Sequence, residues 1–114
     1  MKAIQLYYPP EWAHCYGCGY LNAHGLHIQT YWDPEKGESE TRFTPRPYHT
    51  AIPGFVYGGL LASLVDCHST ATAAEVADEL ANHVRALAGP DAVPRPEQID
   101  AVTAVVADRQ RTLL

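Results

Sequence analysis

The stretch from about Tyr57 to Leu87 reads as one helix, and an element that long in a chain of 114 residues dictates how everything else is arranged. Its first half is apolar almost all round (Leu60, Leu61, Leu64, Val65, Ala71), the pattern of a buried helix. From Glu75 it turns amphipathic. Val76, Leu80, Val84 and Leu87 form a stripe, while Asp78, Glu79 and Arg85 face water. Gly89-Pro90 ends it. The length allows one small domain with a single core.

The start of this helix carries the chemistry. Gly58-Gly59 open it, and a glycine-opened start leaves backbone N–H groups bare on the helix axis, where they can polarise a carbonyl. Asp66 follows inside the apolar half, where a buried carboxylate is costly and asks for a reason. Together these features suggest acyl transfer. Plainer roles exist for each. In these the glycines serve close packing, Asp66 bonds a backbone N–H or the hydroxyl of Ser63 or Thr70, His68 is a satisfied histidine, and Tyr57 belongs to the core.

Upstream, residues 1–26 are rich in Pro, Gly, Tyr and His and read as an irregular lead-in. His27 to Trp32 alternates, with Ile28, Thr30 and Trp32 on one face. Glu38 to Phe43 alternates again, and Asp33-Pro34-Glu35-Lys36-Gly37 has turn residues in turn positions. The segment 27–44 is therefore an antiparallel hairpin. Pro45, Pro47 and Pro53 keep the following segment irregular. Beyond the linker Ala92 to Pro96, residues 96–110 suit a helix or a strand. The resulting class is α+β.

Composition closes off several functions. The net charge of −5, from 8 basic and 13 acidic residues, provides no basic face for nucleic acid. No apolar run spans a bilayer, and no signal-peptide core stands at the N-terminus, so a cytoplasmic location is expected. Cys15, Cys18 and Cys67 make an odd count, against a disulfide framework. Cys15-x-x-Cys18, with His14, His24 and His27 nearby, is half of a zinc site, but no second half follows at a useful spacing. The cysteines are read as packing residues, with no metal expected.

Two segments carry a resemblance. Cys15-Tyr16-Gly17-Cys18-Gly19 through Asn22, Gly25 and Leu26 resembles the Cys-x-Gly-Cys-Gly…Asn-x-x-Gly-Leu opening of one branch of the hot-dog-fold acyl-CoA thioesterases, the phenylacetyl-CoA type. Phe43-Thr44-Pro45, His49, Pro53-Gly54 and the glycine pair through Asp66 continue it. In that family the helix begins His-Gly-Gly, with an Asp or Glu nine positions after the His. Here Tyr57 takes the His position and Asp66 stands nine positions on. The resemblance implies a long central helix wrapped by an antiparallel sheet, paired into dimers or dimers of dimers. After the helix this chain has room for at most one further strand, so the sheet is short or its C-terminal part is rebuilt as helix.

The implied reaction is thioester hydrolysis, with coenzyme A as part of the substrate and no separate cofactor. Gly58 and Asp66 lie about 12 Å apart along a helix, too far to meet at one carbon, so the site requires Gly58 from one protomer and Asp66 from an antiparallel partner. The Gly58 N–H polarises the carbonyl, and Asp66 acts as general base or as nucleophile. Gly59 permits close backbone approach, His68 and Thr70 orient the carboxylate or water, and His49 and Tyr57 line the acyl pocket. The competing expectation is a non-catalytic acyl-thioester-binding or degenerate hot-dog protein.

Overall fold

A computed structural model describes residues 1–93 and 96. The chain divides into two compact units, Met1–Ala71 and Thr72–Leu114, with the boundary inside the long helix. The 96–110 segment, expected as helix or strand, lies outside the described residues apart from Pro96. Among the described residues no helix is long and apolar enough to cross a membrane.

The first unit holds the sheet. Strand β1 (Thr30–Asp33) pairs antiparallel with β2 (Glu38–Thr41), Thr30 opposite Thr41 and Asp33 opposite Glu38. The intervening turn closes as its residues suggest. Asp33 Oδ1 accepts the N–H groups of Glu35 (3.0 Å) and Lys36 (3.3 Å), and Gly37 adopts φ +64°. Lys36 Nζ lies 3.2 Å from Asp33 Oδ2 and holds that carboxyl below its ordinary range. Ile28 and Thr30 point inward, as their alternation requires.

The lead-in contributes much more than its composition promises. It contains two short 3-10 turns, Ile4–Tyr7 and Pro10–Trp12, and buries Ala3, Ile4, Gln5 and Ala13. Gln5 substitutes for a strand at the edge of β1. Its Oε1 accepts the Thr30 N–H (2.9 Å) and its Nε2 donates to Thr30 Oγ1 (3.0 Å). A buried amide side chain thus satisfies a backbone N–H that would otherwise be orphaned.

Helix α1 spans Gly58–Ala88. In the first unit it turns Leu60, Cys67 and Ala71 inward. His68 joins it to the sheet, with Nδ1 2.9 Å from Thr41 Oγ1 and Nε2 3.2 Å from Ser39 Oγ. Thr41 Oγ1 also lies 2.8 Å from Thr30 Oγ1, so Gln5, Thr30, Thr41 and His68 form one connected run of polar side chains.

The expectation of a helix buried on all sides does not hold. Leu61 is 53% exposed and Val65 48%. Two strands sit about 5 Å apart, whereas a helix with its side chains is about 10 Å across, so this sheet covers only one side of α1.

In the second unit α1 continues with Asp78 and Glu79 exposed and Val76 and Leu80 half-buried, while Leu87 in the last turn faces solvent. Arg85 donates to Asn82 Oδ1 at 2.7 Å. Gly89 ends the helix with φ +107°, its N–H bonded to the Arg85 carbonyl, a conformation glycine adopts without strain.

Candidate functional site

The chain reaches α1 through a tight loop. Thr50 pairs with Val56, the Ala51 N–H bonds the Phe55 carbonyl, and Gly54 takes φ +90° between them. The Tyr57 N–H then donates to the His49 carbonyl (3.0 Å), and the Tyr57 carbonyl accepts the first helical N–H groups, from Leu60 and Leu61. Gly58 and Gly59 therefore occupy the positions whose N–H groups have no intrahelical acceptor. Space opens beside Gly58, where a Cβ would meet nothing within 4 Å. Beside Gly59 the ring of Tyr57 fills that volume. The second glycine thus admits Tyr57, and the close approach expected there for a substrate is taken by that ring.

Asp66 is exposed, so its carboxylate does not bear the burial cost anticipated for it. It lies on the solvent face of α1 with Gly58, Leu61, Ala62 and Val65, and no described residue supplies it with a hydrogen bond or an ion pair. Thr70, one turn further, is exposed on the same side. His68 is not there. Residues two apart on a helix are separated by about 200°, and His68 points to the hairpin, half-buried, with burial pushing its pKa down. It holds the sheet to the helix and does not orient Asp66.

His49 lies in a groove of about 490 Å³ with Tyr16, Leu26, Phe43, Arg46 and Tyr48 along its walls. Phe43 stacks on the His49 ring at 5.8 Å and Tyr48 meets it edge-on at 4.8 Å. His49 Nδ1 accepts the Arg46 N–H (3.1 Å), which places the proton of the neutral ring on Nε2. The Arg46 guanidinium has no described partner. Most of the exposed lining is polar, with His24, His27 and Thr44 beside the aromatic rings, so the groove with Arg46 suits an anionic group carrying an aromatic one better than a long apolar tail. Through the His49–Tyr57 bond this groove abuts the start of α1.

A second cluster lies on the inward side of the same helix. The turn carrying Cys15 and Cys18 packs on α1 at Cys67, and the three sulfur atoms lie within 4.8 Å of one another. Cys67 is buried, which pushes its thiol up, whereas Cys15 is exposed and held low by N–H groups of Cys18 and Gly17. In the sequence only the Cys-x-x-Cys half is visible. Cys67 gives no sign of joining it, apart from its inward register with Leu60 and Ala71.

The structure thus places Gly58, Tyr57 and Gly59 together at the helix start with His49 adjacent. Asp66 and Thr70 share a face further along, and His68 stands apart. Comparison with family models, curated proteins and solved structures returns no match.

Proposed function

We propose that the chain is an acyl-CoA thioesterase of the hot-dog type whose site forms between two copies. One observation carries this reading: Gly58, Leu61, Ala62, Val65 and Asp66 are all exposed on one face of α1. Ala62 lies midway between Gly58 and Asp66. A two-fold axis at Ala62 that pairs two such helices antiparallel brings Gly58 of each against Asp66 of the partner subunit. The small side chain at Ala62 lets the helices approach, and Leu61 and Val65 supply the apolar surface that pairing removes from water.

In this arrangement the acyl group lies in the groove at His49 and Tyr48, with Arg46 available to the phosphates of coenzyme A. The thioester carbonyl points at the Gly58 N–H, where the helix dipole and the bare donor favour the oxyanion. Asp66 of the partner subunit deprotonates the attacking water, or attacks the carbonyl itself. Tyr57, over Gly59, borders the reacting group with a hydroxyl able to donate.

A second reading is non-catalytic binding of an acyl thioester by the same groove. It is favoured by Asp66 having no described neighbour to hold it in position. Thiol release from short, medium, long and aryl acyl-CoAs separates the two. The thioesterase reading requires turnover that Asp66→Ala lowers by about 10²–10⁴-fold, the range for loss of a general base. Binding without thiol release by folded protein supports the second.

A further inference from the structure

Cys15, Cys18 and Cys67 raise a question that packing leaves open. Small buried thiols fill space as hydrophobes do, which accounts for Cys67. It does not account for Cys15, which is exposed and yet has its sulfur turned to the other two.

The turn is built around this convergence. A Cβ at Gly17 would collide with Cys67 Sγ and lie 3.7 Å from Cys15 Sγ, so only glycine lets the three sulfurs gather. A Cβ at Gly19 would fall 2.5 Å from the Ala13 carbonyl oxygen and 2.7 Å from that of Cys15. The Gly19 N–H bonds the Cys15 carbonyl at 2.8 Å, closing the turn tightly.

We propose that Cys15, Cys18 and Cys67 form a three-thiolate site for a thiophilic divalent cation, zinc foremost, with the fourth position open on the exposed Cys15 side. A tetrahedral zinc with bonds of about 2.3 Å needs sulfurs about 3.8 Å apart. The observed separations, all within 4.8 Å, come into that range by small side-chain rotations. No other described His, Asp, Glu or Cys joins the group, which leaves the last position to water or an exogenous ligand. Such an ion ties the 15–19 turn to α1 at the residue after Asp66. The site stands independently of the thioesterase reading.

The test is titration of the reduced full-length chain with Co²⁺, followed by Zn²⁺, without oxygen. The site predicts one cobalt per chain, a sulfur-to-cobalt charge-transfer band that zinc abolishes, and protection of all three thiols from a disulfide reagent once zinc is bound. Cys67→Ser and Cys15→Ser should each weaken cobalt binding by more than about 100-fold, since loss of a ligand exceeds the 10–100-fold of outer-shell changes. His24→Ala and His27→Ala should leave it unchanged. A reduced, helical chain without the band overturns the site. So does a folded Cys67→Ser protein that binds at parental strength, because the turn alone would then be the binder. If Cys67→Ser does not fold, Cys15→Ser, at an exposed position, decides in the same way.

Discussion

Gln5 uses both ends of its side-chain amide on Thr30, accepting from the backbone N–H at 2.9 Å and donating to the hydroxyl at 3.0 Å. Both residues are buried and stand 25 positions apart, so the contact anchors the N-terminal segment to the edge of β1. Gln5→Leu keeps the volume but leaves the Thr30 N–H without a partner. Denaturant unfolding should show a loss of about 1–3 kcal/mol, the usual cost of an orphaned buried donor. The exposed Gln29→Ala should stay within about 0.5 kcal/mol.

His68 tests the division between support and chemistry. With its ring nitrogens on Ser39 and Thr41, it fastens α1 to β2 and points away from Asp66. His68→Leu should therefore lower stability by about 0.5–1.5 kcal/mol, the net worth of a hydrogen bond, by removing the contacts to Ser39 and Thr41 that fasten the helix to the sheet. Thioester turnover per folded molecule should stay near the parental value. A stable His68→Leu protein with turnover as low as that of Asp66→Ala would return His68 to the site.

The glycines separate in the same fashion. Gly59→Ala meets only the outer atoms of the Tyr57 ring, which can swing away, so stability should be kept while tyrosine near-ultraviolet dichroism changes. Gly17→Ala meets Cys67 Sγ inside a packed turn and should destabilise by about 1–3 kcal/mol, the cost of overpacking. It should also weaken the cobalt site. Equal, negligible effects of the two substitutions would contradict the cluster geometry.

Leu61 and Val65, exposed on either side of Ala62, should matter to assembly and little to the fold. Sedimentation of the parent should show a dimer, and Leu61→Glu combined with Val65→Glu should give a helical monomer, since like charges then face each other across the axis. A parent that sediments as a monomer at all concentrations would remove the basis for a shared site.

Much of the fold is legible in the sequence because it follows from local rules. The alternation on both sides of Asp33–Gly37 gives the hairpin, and the glycine pair and Gly89-Pro90 bound the helix to within a residue. Gln5 is not legible, since nothing in an irregular stretch marks a polar side chain for burial against a strand 25 residues later. The same holds for Cys67, whose partners come from a turn far away in sequence. The separation of His68 from Asp66 does follow from helical periodicity, and grouping them by proximity in sequence overlooks it. The exposure of Asp66 depends on how little of α1 a two-stranded sheet covers, which periodicity does not specify.

In the proposed site Gly58 comes from one copy and Asp66 from the other, and subunit complementation is the most direct test of that arrangement. Gly58→Pro removes the donor at a first helical position that accommodates proline, and Asp66→Ala removes the carboxylate. Each variant alone should be nearly inactive in thiol release. Mixed and exchanged in equal amounts, they should recover about a quarter of parental activity, because half the dimers then carry one intact site of two. A mixture of fully exchanged subunits no more active than either variant alone would contradict a site shared across the dimer.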